Sequence, residues 1–293
     1  MHSVLIVGCG YIGRRVARVC IDRGSDVIGV VRSNESAGLL ENSGITPCIL
    51  DLDVESASLP YRYEYKQVFY FAPPPPEGDS DKRMEVFLKG IHADRLPTRI
   101  VYISTTAVYG DCGGKWIDED QPVSPGTSRG KRRLAAEHSL SRWCRRHDVE
   151  YVILRVPGIY GPGKLPIDRI RKALPVLRLE DSPYTNRVHA DDLARVCLAS
   201  MERAKTGSIY NVSDGHPGTM TDYFFRIADL TKLPRPPQVT RREAEHVLSP
   251  GMLSFMKESK RLTNRKMLDE LGIQLHYPDL VAGLPTCLDT SAR

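Results

Sequence analysis

Three glycines near the start of the chain have a spacing that suits phosphate binding. Gly8, Gly10 and Gly13 form the pattern G-x-G-x-x-G between the apolar run 4–7 and a helical pattern. In that context the first glycine permits a tight turn, the second lets the backbone approach a pyrophosphate, and the third lets the helix pack closely on the strand. The helix N-terminus then presents free N–H groups to the phosphates. The pattern predicts a dinucleotide site, and the alternative is a tight strand–helix turn that holds no ligand.

The residues that end the second predicted strand indicate which dinucleotide would bind. A fold of this kind that prefers NAD usually places an acidic residue here, to bind the ribose 2′-hydroxyl. This chain has Arg32, followed by Ser33 and Asn34. A cation and two hydrogen-bonding side chains suit a 2′-phosphate, and Arg14 could reach the same phosphate. We therefore expect NADP, with NAD as the alternative cofactor.

Two further strand ends bear on the same site. Asp51 follows the third predicted strand, where its carboxylate could accept from an adenine amino group or cap a turn. The prolines 73–76 follow the fourth strand and cannot continue a helix or a central strand. They either wall the cofactor site or form a rigid linker.

The elements that position these residues alternate between strand and helix. This order predicts an α/β fold, with a doubly wound parallel Rossmann-type sheet over residues 1–160 and a smaller α+β C-terminal substrate lobe over residues 161–293. The boundary is approximate, and the two parts are expected to be interleaved. The predicted strands are 4–7, 26–32, 47–50, 67–72, 99–104, 150–156, 186–189 and 208–212. The predicted helices are 11–23, 35–42, 79–93, 128–147, 167–177, 191–203, 221–230, 241–248 and 264–271.

Composition excludes several classes of protein. The chain has 293 residues, 41% of them hydrophobic and 26% charged, and a formal net charge of +5. No apolar run approaches the roughly 18 residues of a membrane span, and the start lacks a signal-peptide pattern, so we expect a cytoplasmic protein with no membrane partner. The seven cysteines are dispersed, which favours reduced thiols, and no metal-ligand spacing is present. The arginines of the helix 128–147 are interpreted as a solvated face, so no nucleic-acid partner is expected.

Motifs along nearly the whole chain resemble one family. They are GCGYIG (8–13), Asp51-Leu52, ISTTAVYGD (103–111), Lys131 with AAE (135–137), RVPGIYGPG (155–163), RVHADDLA (187–194) and YNVSDG (210–215). In this order the chain resembles the extended short-chain dehydrogenase/reductase superfamily, in its NAD-dependent epimerase/dehydratase branch. The resemblance implies a Rossmann fold, a nicotinamide dinucleotide cofactor and a small polar, sugar-nucleotide-like substrate. It also implies a homodimer, because helices after the fourth and fifth strands often pair between subunits in the family.

The same resemblance implies a catalytic group with one member missing. The family uses a Ser or Thr, a Tyr, and a Lys four residues after the Tyr. Thr105 and Lys131 fall on the first and last positions, but the Tyr position holds Thr127. A phenol of pKa near 10 needs a nearby cation to act close to neutral pH, and a Thr hydroxyl cannot replace it. The chain is thus similar to atypical members of the superfamily.

Three interpretations of the missing Tyr remain open. Tyr160 or Tyr109 fills the space, Lys131 or a water carries the proton, or the protein binds the dinucleotide without hydride chemistry, as a sensor or partner-binding protein. The predicted catalytic residues are Thr105, Lys131 and Tyr160, and the predicted substrate residues are Thr106 and Arg187. The predicted cofactor residues are Gly8, Gly10, Tyr11, Ile12, Gly13, Arg14, Arg32, Ser33, Asp51, Leu52, Ala72, Pro73, Ser104, Lys131, Pro157 and Ile159.

Overall fold

A seven-stranded parallel sheet forms the centre of the protein in the computed structural model, which describes residues 3–61 and 65–288. The spatial order of the strands is β7-β6-β5-β4-β1-β2-β3. The order runs outward in both directions from β1, which is the doubly wound arrangement that the sequence predicted. The strands are β1 Ser3–Val7, β2 Asp26–Val31, β3 Thr46–Ile49, β4 Gln67–Tyr70, β5 Arg99–Thr105, β6 Glu150–Val156 and β7 Ile209–Asn211.

Alternate residues of each central strand are buried on opposite faces of the sheet. Val4 and Ile6 of β1 belong to one core, together with helices α1 and α6. Leu5 and Val7 belong to a second core on the opposite face, with α3 and α4. Because both faces are covered, the central strands are apolar throughout, as parallel sheets require. The helices of these layers are α1 Tyr11–Asp22, α2 Asn34–Glu41, α3 Lys82–Lys89, α4 Ser128–His147 and α6 Ala190–Arg203.

The remaining elements form a smaller lobe beside the carboxyl ends of the strands. Its core is built around Phe224, Ile227 and Tyr160. Its helices are α5 Ile167–Arg171, α7 Met220–Leu230, α8 Arg241–Val247, α9 Pro250–Met256, α10 Arg265–Leu271 and α11 Leu280–Gly283. Of these, α10 returns to the sheet layer, where it packs on α6. Short strands pair as Trp116–Ile117 with Arg261–Leu262, Gly158–Tyr160 with Arg187–His189, Val176–Leu177 with Gln238–Val239, and Tyr184–Thr185 with Gly218–Thr219.

The chain passes more than once between the sheet and the lobe. After residue 160 the helix α6 returns to pack on α1, and β7 adds to the edge of the sheet beside β6. Residues 190–211 therefore belong to the sheet layers, and a single cut at residue 160 does not separate the two parts. Among the described residues no helix is both long and apolar enough to cross a membrane, and all seven cysteines are free.

Several predicted boundaries need correction. The helix predicted over 79–93 is α3, Lys82–Lys89, because Asp81 caps its start by accepting from Met84 N. The helix predicted over 167–177 ends at Arg171, and residues 176–177 form a short strand. The stretch 157–163, predicted as a loop, contains the strand Gly158–Tyr160.

Two predicted helix starts and one further helix also differ from the sequence prediction. His189 caps α6 by accepting from Asp191 N, so the helix begins one residue before Asp191. Thr219, not Thr221, caps α7, and Thr221 instead donates to Leu177 O at 2.7 Å. Helix α9 carries no strong periodic pattern and was not predicted.

Candidate dinucleotide and substrate pockets

The glycine turn between β1 and α1 is held between two neighbouring strands. Gly8 has a φ of +84°, and a Cβ at this position would lie 2.5 Å from the backbone nitrogen of Ala72. Gly8 N donates to Val30 O at 3.1 Å. At Gly13 a Cβ would lie 3.1 Å from Gly8 O, so a side chain there would push the helix from the turn. The first and third glycines of the motif are therefore needed by the fold.

The second glycine faces open space, which is the feature that fits a ligand. No atom lies within 4 Å of the position that a Gly10 Cβ would occupy. Gly10 begins α1 without a side-chain cap, and the first turn of α1 holds no acidic residue. The N–H groups of this turn and the positive end of the helix dipole are thus available to an anion. This arrangement fits the pyrophosphate of a dinucleotide.

A first cavity of about 520 Å³ opens from the glycine turn along the carboxyl ends of β1, β2 and β3. Arg32 stands at its rim, with 65% of the side chain exposed, and its Nη1 lies 3.8 Å from Asp53. Asp53 is bound more closely by Arg83, through two contacts of 2.6 Å. Hydrogen bonds from Arg83 lower the pKa of the Asp53 carboxyl. Since Asp53 is held by Arg83, the guanidinium of Arg32 remains available to a ligand.

Ser33 and Asp51 make local contacts at the same rim. The Ser33 hydroxyl accepts from Ser36 N at 3.2 Å and so caps α2. The Asp51 carboxylate accepts from Asp53 N at 3.0 Å, which is the turn cap that the sequence left open as an alternative. Both side chains also line the cavity. The Asp51 carboxylate keeps lone pairs for a donor such as an amino group, whereas the Ser33 hydroxyl donates to Ser36 Oγ at 3.1 Å and would turn this donor to a phosphate.

A second cavity of about 870 Å³ adjoins the first, and Pro73 lines both. It lies at the carboxyl ends of β4, β5 and β6, beneath the smaller lobe. All four prolines 73–76 line it, and only Pro73 also lines the first cavity. The predicted residues that line the first cavity are Gly8, Gly10, Arg32, Ser33, Asp51, Leu52, Ala72 and Pro73. Those that line the second are Pro73, Ser104, Thr105, Thr106, Pro157, Ile159 and Arg187.

Five residues predicted to contact the cofactor line neither cavity, and four of them are on α1. Ile12 is buried in the core, and Gly13 is covered by Gly8 and Ile6. The Tyr11 hydroxyl donates to Pro162 O at 2.9 Å, and this contact joins α1 to the smaller lobe. Arg14 is exposed on α1 and does not line the first cavity. Of these two predicted arginines, Arg32 is the one at the rim of the cavity.

Buried polar contacts fix the end of β5 at the second cavity. Ser104 Oγ donates to Glu137 at 2.5 Å, and Glu137 accepts from Arg155 at 3.2 and 2.8 Å. The Thr105 hydroxyl accepts from Ala107 N at 3.3 Å and lines the cavity. Thr105 is thus both the turn cap and a cavity residue. The contacts join β5, α4 and β6, so the position of Thr105 is rigidly set.

Lys131 lies outside both cavities, contrary to the sequence prediction. Its ammonium group binds Asp79 at 3.3 Å, and half of the side chain is exposed. Thr127, at the position expected for the family Tyr, caps α4 by accepting from Gly130 N at 3.2 Å. The α4 residues that face the second cavity are Arg129, Arg132 and Arg133. Arg129 and Arg133 have the four-residue spacing of the family's Tyr and Lys.

The two tyrosines proposed as replacements are also directed elsewhere. Tyr160 is fully buried and donates to Asp279 O at 3.2 Å, and burial raises the pKa of its phenol. Tyr109 is fully buried and donates to Asn211 at 2.8 Å. Neither lines the second cavity, so neither reaches a substrate beside Thr105. Tyr184 and Tyr223 do line it.

Arg187, predicted to contact the substrate, lines the second cavity. It is buried, donates to Asn186 O at 2.9 Å, and stacks its guanidinium 4.3 Å from the centre of the Tyr223 ring. Desolvation raises the pKa of Tyr223 to about 12, although Arg187 acts to lower it. The phenol of Tyr223 is thus a proton donor, not a base, near neutral pH.

Sequence reasoning missed several cavity residues. Arg83 was not predicted, because nothing in the sequence places α3 against Asp53. Lys164, Tyr223, Glu258 and Lys260 come from segments without a family motif. The sequence could have predicted that Arg129 and Arg133 face the same way, since residues four apart share one face of a helix. Among residues 3–61 and 65–288, no three His, Cys, Asp or Glu side chains group closely enough to hold a metal ion.

A doubly wound sheet with a glycine-lined anion site and an adjoining second cavity at the strand ends defines a dinucleotide-dependent α/β enzyme. Comparison with known sequences gives the family: the model of the NAD dependent epimerase/dehydratase family matches residues 4–213. The chain belongs to this family. It is an NAD-dependent epimerase/dehydratase-like enzyme, as the sequence motifs predicted.

Three relatives illustrate the range of similarity. Protein YeeZ of Escherichia coli K12 is 28% identical, over 95% of this chain and 97% of its own. The structure of a functionally unknown conserved protein from Silicibacter pomeroyi superposes with a TM-score of 0.86 and 30% identity, over 98% of each chain. The UDP-glucose 4-epimerase of Thermotoga maritima, solved with UDP-glucose, superposes with a TM-score of 0.77 and 20% identity, over 97% of each chain. The last likeness shows the shared fold alone.

Proposed function

We propose that this chain binds NADP(H) and catalyses an oxidoreductase or epimerase/dehydratase-type reaction on a polar, sugar-nucleotide-like substrate. The observation that carries the proposal is the pair of adjoining cavities. One begins at the open face of Gly10 and ends at Arg32, and the other contains Thr105. When bound, the nicotinamide ring would accept or return a hydride. The family, and the UDP-glucose bound to the Thermotoga epimerase, support a sugar nucleotide as the substrate.

The chain's own residues would divide the work between the two cavities. The N–H groups after Gly10 bind the pyrophosphate, and Arg32 with Ser33 binds the 2′-phosphate of NADP. Pro157 and Ile159 wall the second cavity where the nicotinamide end would enter. Thr105 donates a hydrogen bond to the reacting oxygen of the substrate, and its own cap contact with Ala107 N holds the hydroxyl in place.

Proton transfer requires a group other than the family's Tyr. Tyr223 is a phenol of the second cavity with a cation, Arg187, stacked against it. The pKa of about 12 suits donation of a proton to a developing alkoxide. We infer that Tyr223 donates a proton to the substrate oxygen when a carbonyl is reduced and accepts it again in the reverse reaction.

The test of cofactor choice is a calorimetric titration of the purified protein with NADPH and, separately, NADH. We expect tight binding of NADPH and weak binding of NADH. Failure to bind either dinucleotide would overturn the proposal. Turnover is then tested with a keto-sugar nucleotide and NADPH, by the loss of absorbance of the reduced nicotinamide, with Tyr223→Phe and Thr105→Val as variants and Lys131→Ala as the control.

A second function is favoured by one observation. Thr127 caps a helix, and Lys131 pairs with Asp79 away from the cavity, so the family's proton-transfer pair is absent from its usual place. A non-catalytic dinucleotide-binding sensor or partner-binding protein would have this property. Tight NADPH binding without turnover of any sugar nucleotide would support this second function over the first.

A further inference from the structure

The second cavity carries a large excess of positive charge. Among the described residues that line it, the one carboxylate is Glu258, and Lys260 binds that carboxylate at 2.7 Å. The five other cations are Arg129, Arg132, Arg133, Lys164 and Arg187. Burying a cation without a partner costs free energy of folding. A cavity of this kind is therefore stabilised by a bound anion or by acidic side chains behind its wall.

These arginines lack carboxylate partners within the described part of the chain. Arg129 Nε and Arg132 Nε are buried without a hydrogen-bond acceptor, and Arg132 is only 8% exposed. The Arg129 guanidinium instead lies 4.1 Å from the centre of the Phe255 ring. Arg187 is 9% exposed and contacts a carbonyl, a thioether and a ring. Arg132 Nη1 donates to Gly78 O at 2.7 Å, so the buried donors that lack a protein acceptor here are the Nε groups of Arg129 and Arg132.

Acids behind the cavity wall offset this charge only in part. Asp81 acts on Arg133, and Asp214 acts on Arg187, but neither forms an ion pair with that arginine. Burial raises the pKa of both carboxyls, to about 7 for Asp214. With a pKa of about 7, the Asp214 carboxyl is partly neutral near pH 7, so it compensates less than a full charge.

The start of α4 adds a second, independent signal. The first turn of α4 holds no acidic residue, and its first six residues include four cations. The N-terminus of a helix carries a partial positive charge, so cations there destabilise the helix. Lys131 is the one of the four that has an ion-pair partner, Asp79. A bound anion would remove this unfavourable arrangement.

The geometry places two of these arginines at the reacting end of the cavity. The first turn of α4 packs against the turn 106–109 so closely that a Cβ on Gly130 would lie 2.7 Å from Ala107 O. Arg129 and Arg133 flank Gly130 on the cavity side. Arg133 Nη1 donates to Ile103 O at 2.9 Å, two residues before Thr105. The Arg133 guanidinium is therefore held beside the β5 end that carries Thr105, and the Arg129 guanidinium lines the same cavity against Phe255.

We propose that the reacting end of the substrate carries an anionic group, a carboxylate or a phosphate, which Arg129 and Arg133 bind beside Thr105. Guanidinium groups bind both oxyanions through paired N–H···O contacts. The inference rests on the proposed function for the reaction, but anion binding itself is independent of turnover. It assigns to these two arginines a positioning role that an uncharged sugar ring would not need.

The experiment uses malonate and inorganic phosphate as probes on the full chain. The midpoint of thermal unfolding is measured against probe concentration at constant ionic strength, with chloride as the reference salt, which gives an apparent Kd. We expect both probes to raise the midpoint beyond chloride. Arg129→Gln and Arg133→Gln should each weaken the apparent Kd by about tenfold or more. Arg226→Gln, on the outer face of α7 and paired with Asp222, should leave it unchanged.

Each outcome decides the proposal. Tighter binding of malonate than of phosphate would support a carboxylate, and the reverse would support a phosphate. No effect beyond chloride, or equal effects in the wild type, Arg129→Gln and Arg133→Gln, would overturn it. If Arg133→Gln does not fold, Arg129→Gln and Arg133→Lys carry the test, with the lysine variant expected to keep part of the affinity.

The NADPH titration of the same variants separates this inference from the proposed function. Retained NADPH binding with no anion binding would refute the anionic substrate alone. Anion binding without NADPH binding would refute the proposed cofactor and leave the arginine site intact.

Discussion

Replacing Glu137 by glutamine tests whether a buried ion pair fixes the end of β5 that carries Thr105. Glu137 and Arg155 have side chains that are 4% and 5% exposed, and they are joined by contacts of 3.2 and 2.8 Å. Ser104 adds a third contact, at 2.5 Å. Glutamine keeps the size of the side chain but removes its charge. The variant leaves the Arg155 guanidinium buried without a counter-charge.

The expected loss is large because water cannot reach the remaining charge. Breaking a buried pair by removing one partner costs about 3–5 kcal/mol. We therefore expect Glu137→Gln to lower the free energy of unfolding by about 3–5 kcal/mol. Since Ser104 precedes Thr105, we also expect a loss of turnover that exceeds any change in NADPH affinity, because the first cavity does not contain Glu137.

Urea unfolding at 25 °C measures the change, and a second ion pair provides a matched control. Arg235 binds Asp229 in the same two-contact geometry, at 2.8 and 2.7 Å, but both side chains are more than half exposed. Asp229→Asn should change the free energy of unfolding little, because water replaces the lost contact. Equal losses in the two variants would refute the reasoning that burial determines the cost.

Three further predictions concern the first cavity and a buried carboxyl. Gly8→Ala should lower the free energy of unfolding by about 2 kcal/mol or more, because it combines a φ of +84° with a Cβ placed 2.5 Å from Ala72 N; urea unfolding measures it. Arg32→Ala should weaken NADPH binding by about tenfold to a hundredfold and leave NADH binding unchanged, because one charge-assisted contact to the 2′-phosphate is worth about 1.5–3 kcal/mol; calorimetry measures both. Burial raises the pKa of Asp214 to about 7 in the folded state, from 3.8 when exposed, so the folded protein holds this proton more tightly. The contribution of this group to stability is therefore present below about pH 4 and falls, by up to about 4 kcal/mol, as the pH rises to about 7. Asp214→Asn should lack this fall, so its stability relative to the wild type should increase with pH over that range.

Two control variants change residues that each lack one feature of the residue under test. Gly24 has a φ of +78° but open space around it, so Gly24→Ala measures strain without a clash. Arg18→Ala removes an exposed arginine of α1 away from the rim. A loss of NADH binding equal to that of NADPH in Arg32→Ala would contradict the 2′-phosphate assignment. A constant difference between Asp214→Asn and the wild type from pH 4 to pH 8 would contradict the raised pKa.

The central sheet was predictable because its strands are covered on both faces. Its central predicted strands are apolar runs, so an error of one residue in a predicted strand boundary would still leave apolar side chains on both buried faces. The order around β1 followed from the glycine motif, which occurs at the first strand of a doubly wound sheet. Helix α9 was not predictable, because none of its side chains is fully buried and its contacts come from the small satellite core around Leu248.

By itself the sequence determined the dinucleotide turn, the family and the end of β5. The reason is that these depend on short stretches with strict backbone demands, such as the positive φ of Gly8. Tertiary structure decided which side chains of α4 face the second cavity. Successive residues of a helix are about 100° apart, so Lys131 points roughly 200° away from both Arg129 and Arg133. Only the packing of Gly130 on the turn 106–109 sets which face is inward. In the same way, the long-range contact of Tyr160 with Asp279, which no local pattern records, removed that phenol from the site.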